Sequence, residues 1–190
     1  ATKGAALSLL GKAYLYQEKF TEAAAALDQV ILSGNYTLVD DYNSIFEAEG
    51  ENGPESVFEV QYTDMEGAGF GCLQCSEGNV AVGFSGVRSY EGPLFSSGFS
   101  FNVPTAEAAG IYDAADQRLA VTILDIEAWA DTANASYTTG NEHTGYFNRK
   151  YIPRKRSADA QHDLNLTNPN NYRAIRYSDV LLMAAEAYNR

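Results

Sequence analysis

Residues 2–34, TKGAALSLLGKAYLYQEKFTEAAAALDQVILSG, decide the fold class. In the first half of this stretch, apolar residues such as Leu7, Leu10 and Tyr14 recur at spacings of three and four, which is the period of a helix. The second half carries a further apolar stripe, and Gly34 is suited to end that helix because glycine tolerates the left-handed backbone of a C-cap. The stretch therefore predicts two antiparallel helices with a short connection.

This pair of helices resembles the tetratricopeptide repeat, in which small side chains let two helices approach each other closely. Gly11 and Ala23 stand where the helices of one repeat approach, and Tyr14 and Leu27 fill the space between them. We therefore expect a mainly α fold built on a tetratricopeptide-like hairpin scaffold, an α-α superhelix, with its first hairpin at residues 2–34.

The last stretch of the chain, IRYSDVLLMAAEAYNR, repeats the pattern of the first helix. Leu181 and Tyr188 take the places that Leu7 and Tyr14 hold in the opening helix. Polar residues form only a narrow stripe, so most of the circumference is apolar, as in a helix with neighbours on several sides. We expect residues 173–190 to be the first helix of a further hairpin, with its apolar face packed on the first.

The long middle region, residues 35–172, is irregular and rich in turn-forming residues. ESVFEVQYT alternates in polarity and predicts a strand, and TGYFNRKYI is a second candidate strand. Thr105 is a natural N-cap for a short helix over residues 106–114. We interpret this region as a partly β, ligand-binding insertion within one domain of residues 1–190.

Composition and charge exclude several classes of function. The chain has 190 residues and a net charge of −12, so its surface repels phosphate backbones and we expect no nucleic-acid partner. No apolar run approaches the roughly 20 residues of a membrane-spanning helix. The sequence also lacks G-x-S-x-G, H-E-x-x-H and Gly-rich phosphate-loop motifs. We therefore expect neither catalytic residues nor a cofactor.

The order of these stretches resembles the SusD/RagB family of outer-membrane nutrient-binding lipoproteins of Bacteroidetes. The resemblance rests on ATKGAALSLLGKAYLYQEKFTEAAAALDQVI, then NYTLVDDYNSIF with ESVFEVQY, then FNVPTAEAAGIYDAADQRLAVTI, and finally TGYFNRKYI followed by IRYSDVLLMAAEAYNR. A helix pair alone is common to many unrelated proteins, but the ordered set is specific and spans nearly the whole chain. Because family members are much longer, the chain resembles an internal portion of one.

The resemblance implies a surface-exposed, non-catalytic protein of the outer membrane. Such a protein captures an oligosaccharide or polysaccharide and delivers it to a TonB-dependent, SusC-like transporter. The resemblance also implies that it contacts the membrane only through an N-terminal lipid anchor, which we expect to lie outside this chain. An alternative reading keeps the tetratricopeptide-like scaffold but assigns it to protein–protein interaction without sugar binding.

In that family the ligand is held mainly by loops that present aromatic side chains to sugar rings, because the C–H face of a sugar lies flat on a π surface. The loop at residues 66–101 carries many aromatic residues with polar neighbours, and the chain has one tryptophan in a polar setting. Packing in the core is the competing interpretation for each of these rings. Our candidate ligand-binding residues are Phe84, Arg88, Tyr90, Glu91, Phe95 and Trp129.

Two further features leave alternatives open. Cys72 and Cys75 form a C-x-x-C motif, which suggests redox chemistry or half a metal site in a reducing compartment. A zinc site needs about four ligands, and His143 and His162 show no matching spacing, so we expect no metal. Export to the cell surface favours a local disulfide or two inert thiols.

The run NRKYIPRKR, residues 148–156, holds five of the 13 basic residues of the chain. One hypothesis is a patch that docks an acidic glycan or a partner protein. The other is a solvated turn that balances a very acidic surface.

Overall fold

The computed structural model describes residues 2–67, 69–75, 77–113, 115–140, 142–160 and 162–190. Helices predominate in these ranges, and the named strands pair only as two separate two-stranded sheets. The predicted mainly α fold class is confirmed. No helix in the described part of the chain is long and apolar enough to cross a membrane. The chain divides into two compact units, residues 1–60 with 172–190 and residues 61–171. The assignment of residues 1–190 to one domain stays a prediction.

The first unit begins with the predicted pair of helices. Helix α1 (Lys3–Tyr16) follows Thr2, whose side-chain oxygen accepts a hydrogen bond from a backbone N–H of the first turn at 3.1 Å. Helix α2 (Phe20–Ile31) runs back along it. A Cβ placed on Gly11 would lie 2.6 Å from Cγ of Leu27. Glycine at this position therefore allows the close approach that the sequence predicted.

A short antiparallel sheet lies in the same unit. Strand β1 (Ser56–Val60) confirms the strand predicted from ESVFEVQYT. It pairs with strand β4 (Tyr172–Arg176), which places Phe58 opposite Ile175. The prediction of a helix from residue 173 is therefore wrong for residues 173–176, because their side chains alternate between buried and more exposed positions and their backbone pairs with β1.

Helix α7 (Tyr177–Asn189) follows β4 directly. The carboxylate of Asp179 accepts a hydrogen bond from the N–H of Arg176 at 2.8 Å, and this capping interaction fixes where the helix starts. The buried face of α7 packs on α2, as predicted. The core of this unit consists of Leu27, Val30, Val57, Ile175, Val180 and Ala184.

The second unit contains short helices joined by long irregular segments. Its helices are α3 (Val80–Ser85), α4 (Ala106–Gly110), α5 (Leu119–Thr122) and α6 (Ile126–Ala133). Strands β2 (Ile123–Asp125) and β3 (Tyr146–Asn148) pair antiparallel. The strand expected in TGYFNRKYI is thus only three residues long, and a 3-10 turn follows it at Arg149–Tyr151.

Thr105 caps α4 as predicted. Its Oγ1 accepts a hydrogen bond from the N–H of Ala108 at 3.2 Å. The helix ends at Gly110, before the end of the predicted range 106–114, and Ala114 lies outside the described residues. Only one turn of helix therefore follows the cap.

Two kinds of contact hold the second unit together. One is an apolar core formed by Val87, Tyr90, Phe95, Leu124, Ile126, Phe147 and Ile152. The other is a set of buried asparagine side chains that bond backbone groups. Asn79 donates to the carbonyl of Asn170, and Asn168 donates to the carbonyl of Asn79, both at 2.9 Å. These amides satisfy backbone groups that have no sheet partner, which is how an irregular segment is buried without loss of hydrogen bonds.

Candidate functional site

A wide groove of about 840 Å³ lies in the second unit, between α4, α5, α6 and the β2–β3 sheet. Small side chains such as Ala106 and Ala109 form one wall and leave room for a ligand. Its polar and aromatic lining comprises Asp116, Gln117, Asp125, Trp129, Thr132, Tyr146 and Arg149. We call this the Trp129 groove. Concave surfaces of this size with a few polar groups are typical of small-ligand sites.

Trp129 is the aromatic anchor of the groove. It is carried by α6, whose start is fixed by Asp125, since that carboxylate accepts hydrogen bonds from two backbone N–H groups at 3.0 and 3.1 Å. The indole Nε1 donates to Oη of Tyr90 at 2.9 Å, and the ring of Phe95 packs with a centroid distance of 5.3 Å. The ring is half-buried, so its orientation is fixed while part of its surface still lines the groove.

Arg149 and Asp116 supply opposite charges to the groove. Nη1 of Arg149 donates to the carbonyl of Ala120 at 2.7 Å, and its guanidinium lies 6.0 Å from the centre of the Trp129 ring. Asp116 accepts hydrogen bonds from Arg118 through Nε at 2.9 Å and Nη2 at 2.6 Å. These bonds lower the pKa of Asp116 to about 2, so its carboxylate stays charged at any physiological pH. The same bonds tie the turn at residues 116–118 together.

Tyr90 and Phe95, two of the candidate ligand-binding residues, lie in the core of the second unit. Their rings are only 5% and 0% exposed, so neither offers a free face to a sugar. Tyr90 donates to the carbonyl of Pro93 at 2.7 Å while it accepts from Trp129. Burial raises the pKa of Tyr90, although the bond from Trp129 acts in the opposite direction. Both residues contact Trp129 and fix its position, and a direct part for either in ligand binding stays a prediction.

Phe84 and Arg88 lie on a second surface, which does not include any residue of the Trp129 groove. Phe84 is one of four neighbouring rings, which we call the phenylalanine cluster and in which Phe99 contacts the other three: Phe70, Phe84, Phe99 and Phe101. Arg88 donates through Nη2 to the carbonyl of Phe99 at 2.8 Å, and its guanidinium lies 6.0 Å from the ring centre of Phe101. Phe70 and Phe101 are 66% and 52% exposed.

Glu91 is exposed but does not line the Trp129 groove. Its backbone forms an isolated antiparallel bridge with Ser136, with N–H to carbonyl distances of 2.9 and 2.8 Å. The six predicted residues are therefore not one cluster. Trp129 lines the groove, two residues support it, two lie in or beside the phenylalanine cluster, and Glu91 stands apart.

Most arginine side chains of the basic run 148–156 make contacts within the protein. Arg154 is buried, with its guanidinium 5.1 Å from the ring centre of Phe95. Arg156 donates to Oδ1 of Asn168 at 2.7 Å, and burial lowers its pKa to about 10, which still leaves it charged at neutral pH. Arg149 is bonded to a backbone carbonyl, so at least three of the five basic side chains make contacts within the protein. A docking patch formed by the whole run is not supported.

The open question about Cys72 and Cys75 is answered by the structure. Their sulfur atoms are joined, with a separation of 2.03 Å. This disulfide closes a single turn next to Phe70. Within the described ranges, no group of three or more His, Cys, Asp or Glu side chains is arranged to hold a metal ion.

The sequence model of the SusD family matches residues 54–190, most of the chain. The chain belongs to the SusD family. The match includes every residue of the Trp129 groove and of the phenylalanine cluster.

Three SusD-family relatives show the breadth of the likeness. SusD-like protein P2 of Formosa agariphila is 28% identical over 99% of this chain and 37% of its own length. The structure of a laminarin-binding SusD-like protein is 36% identical with a TM-score of 0.82, over 97% of this chain and 43% of its own. Surface glycan-binding protein A from Bacteroides thetaiotaomicron, in complex with laminarihexaose, is 27% identical with a TM-score of 0.79, over 97% and 42%. The chain thus spans less than half the length of these SusD relatives.

Sequence reasoning found Trp129 because it is the one tryptophan of the chain. It left Arg149 and Asp116 out of the candidate set, and their partners are a backbone carbonyl and a neighbouring arginine. It also left Phe70, Phe99 and Phe101 out of the candidate set. Their spacing has no regular period, and only folding brings the four rings together.

Proposed function

We propose that this SusD-family chain binds an oligosaccharide or polysaccharide in the Trp129 groove and leaves it chemically unchanged. The observation that carries the proposal is a half-buried indole, fixed by Tyr90 and Phe95, beside a guanidinium in an open groove. The ligand class is supported by the relatives, one described as laminarin-binding and one solved with laminarihexaose. A glucan is accordingly the first ligand to test.

The groove offers the two kinds of contact that a sugar needs. The exposed part of the indole can cover the C–H face of one sugar ring. The carboxylate of Asp116 accepts hydrogen bonds from hydroxyl groups, and the guanidinium of Arg149 and the amide of Gln117 can donate to hydroxyl oxygens. Because the indole is locked by its bond to Tyr90, little rotational freedom is lost when the ligand binds.

The state of Asp116 argues against hydrolysis in this groove. Glycosidases use a pair of carboxyl groups, of which one must be protonated to act as the general acid. Asp116 is held as a charged carboxylate by Arg118, with a pKa of about 2. Asp125 is engaged as the N-cap of α6. Binding without catalysis is the chemistry that these residues favour.

For the whole protein we propose a place in glycan uptake at the outer membrane. It would be surface-exposed and lipid-anchored, and it would pass its ligand to a TonB-dependent, SusC-like transporter. Membership of the SusD family supports this proposal. Co-purification of the protein with such a transporter tests it directly, and a protein that never co-purifies with one under cross-linking contradicts it.

A second candidate function is protein binding by the helical scaffold without sugar. It is favoured by exposed apolar side chains on α1 and α7, where Leu9 is 49%, Leu182 69% and Tyr188 65% exposed. We propose further that α7 is the first helix of another hairpin, since those exposed side chains would pack on a following helix.

Calorimetric titration with a glycan panel that includes laminarin and laminarihexaose distinguishes the two functions. We expect saturable binding of at least one glycan and a loss of affinity of about tenfold or more in Trp129→Ala, since the aromatic platform is removed. Tyr16→Ala is the matched control, because Tyr16 is an aromatic residue of α1 that is 82% exposed. Absence of binding across the panel, or equal affinities for Trp129→Ala and wild type, contradicts the proposal.

A further inference from the structure

The phenylalanine cluster is unusual because two of its rings, Phe70 and Phe101, are largely exposed to solvent although they pack against other aromatic rings. Phe70 packs edge-on against Phe99 at 5.8 Å, and Phe101 packs on Phe84 and Phe99 at 6.0 and 5.8 Å. Isolated exposed apolar residues are common in soluble proteins, but a contiguous apolar patch usually marks a binding surface.

Backbone hydrogen bonds hold one side of the cluster rigidly. The N–H of Phe99 donates to the carbonyl of Gly83 at 2.9 Å, and the N–H of Phe101 donates to the carbonyl of Phe84 at 2.8 Å. Arg88 adds its bond to the carbonyl of Phe99. The segment that carries Phe99 and Phe101 is therefore tied to α3 residue by residue, and the rings are ordered before any ligand arrives.

The other side of the cluster is held by the disulfide. Phe70 lies between Gly69 and Gly71, and a Cβ on either glycine would meet nothing within 4 Å. Close packing therefore does not explain these glycines, and they leave the loop backbone flexible. The Cys72–Cys75 bond and the hydrogen bond from the N–H of Cys72 to the carbonyl of Gly69, at 3.0 Å, restrict the turn next to Phe70.

The cluster and the Trp129 groove lie close together along the chain. Phe101 in the cluster lies five positions before Ala106, which lines the groove. Even a fully extended segment of that length spans at most about 18 Å. An extended sugar chain that starts in the groove can therefore reach the cluster within the same unit.

From this arrangement we propose that the phenylalanine cluster is a second carbohydrate-contacting surface, which binds distal units of the same polysaccharide that occupies the Trp129 groove. The Cys72–Cys75 disulfide positions Phe70 within it. This proposal rests on the proposed function of the groove. The cluster is nearly all aromatic hydrocarbon, so it stacks on C–H faces of sugars and contributes little selectivity among hydroxyl patterns. Selectivity then comes from the groove, and the cluster adds affinity for long chains.

The test compares a polymer with a short ligand. Laminarin and laminaritriose are titrated calorimetrically into wild type, into the double variant Phe70→Ala/Phe101→Ala and into Trp129→Ala. We expect the double variant to bind laminarin about tenfold more weakly and laminaritriose within twofold of wild type. Trp129→Ala should weaken both ligands. Thermal unfolding of the double variant should match wild type, because both replaced rings are largely exposed.

The disulfide is tested by Cys72→Ser/Cys75→Ser. This variant should bind laminarin about threefold more weakly. Without the disulfide, Phe70 is less ordered in the free protein, and ordering it on binding costs free energy. In a Phe70→Ala background the same change should have no effect on laminarin affinity. If Cys72→Ser/Cys75→Ser weakens laminarin binding as much in the Phe70→Ala background as in wild type, the disulfide does not act by positioning Phe70.

The outcomes separate the two proposals. If Trp129→Ala weakens laminarin binding and the Phe70→Ala/Phe101→Ala variant does not, the groove is retained and the second surface is overturned. Equal loss of both ligands in the double variant also overturns it, since the cluster would then act on the short ligand. If wild type binds neither laminarin nor any other glycan of the panel, both proposals fail.

Discussion

The two units of the chain are stabilised in different ways. The unit that contains α1, α2 and α7 is stabilised by close packing of apolar side chains. Its core residues include Leu27, Val30 and Val180, which are 0–1% exposed. The unit that carries the groove has an apolar core as well, but its long irregular segments are held by buried amides such as Asn168. Regular helices need only their faces covered, whereas irregular backbone needs a partner for every buried N–H and C=O. The comparison teaches that a unit built largely of irregular segments requires buried polar groups in its interior.

Leu27→Ala should have the largest effect on the first unit. Leu27 is completely buried and fills the space above Gly11, so its truncation leaves a cavity. We expect a loss of about 2–5 kcal/mol in the free energy of unfolding. Denaturant titration followed by circular dichroism measures it. Leu32→Ala is the control, since Leu32 is 84% exposed and should change stability by less than about 0.5 kcal/mol. Equal stabilities of the two variants would show that volume is not what holds this unit.

Asn168→Ala tests the polar interior of the second unit. Its amide donates to the carbonyls of Asn79 and Asn165, and its Oδ1 accepts from Arg156. Removal leaves these groups unsatisfied, and we expect a loss of about 3 kcal/mol. Hydrogen exchange of the amides around α3 should accelerate. The exposed Asn35→Ala serves as control. Unchanged exchange around α3 would contradict the role of the buried amides.

The same contrast explains what the sequence could predict. Helical periodicity identified α1 and α2, and alternation identified β1, because these signals are local. The start of α7 was misplaced, since residues 173–176 pair with β1, more than 110 positions earlier in the chain. That pairing is a long-range contact that no local pattern reports.

The candidate site was predicted only in part for a related reason. Trp129 and Tyr90 are both aromatic residues near polar neighbours, and composition cannot tell which one is buried. Folding places Tyr90 beneath the indole and leaves part of Trp129 in the groove. The sequence also could not predict that the side chains of Arg149, Arg154 and Arg156 make contacts within the protein. Their partners include backbone carbonyls, which no sequence motif identifies.

Tyr90→Phe should have a smaller effect, confined to the groove. The ring and its packing are retained, but Trp129 loses its acceptor for the indole N–H and the carbonyl of Pro93 loses its donor. We expect a loss of about 1 kcal/mol in stability and a few-fold weaker glycan binding. Calorimetry and thermal unfolding measure the two effects. Tyr16→Phe, at an exposed position of α1, is the matched control. Full affinity in Tyr90→Phe would mean that the hydrogen bond does not position the indole.

The smallest effect is expected when the pH is lowered and the contribution of Asp116 to glycan affinity is measured. Arg118 lowers the pKa of Asp116 to about 2, from a usual value of 3.8. Because the pKa of Asp116 is lower in the folded protein, the charged carboxylate stabilises the fold at pH values above 3.8. That stabilisation is lost as the pH falls through about 2. The contribution of Asp116 to glycan affinity should therefore be the same at pH 7 and pH 4. Calorimetry at both values, with Asp116→Asn as reference, checks it. A wild-type to Asp116→Asn affinity ratio that shrinks between pH 7 and pH 4 would contradict the assignment.

Binding of a glycan at Trp129 is the central claim, and the indole itself can report it. Trp129 is the one tryptophan of the chain, so its fluorescence arises from the groove. Titration with laminarin, monitored by tryptophan emission, should give a saturable change with the same dissociation constant as calorimetry. A calorimetric binding curve without any change in emission would show that the glycan binds away from Trp129 and would contradict the account.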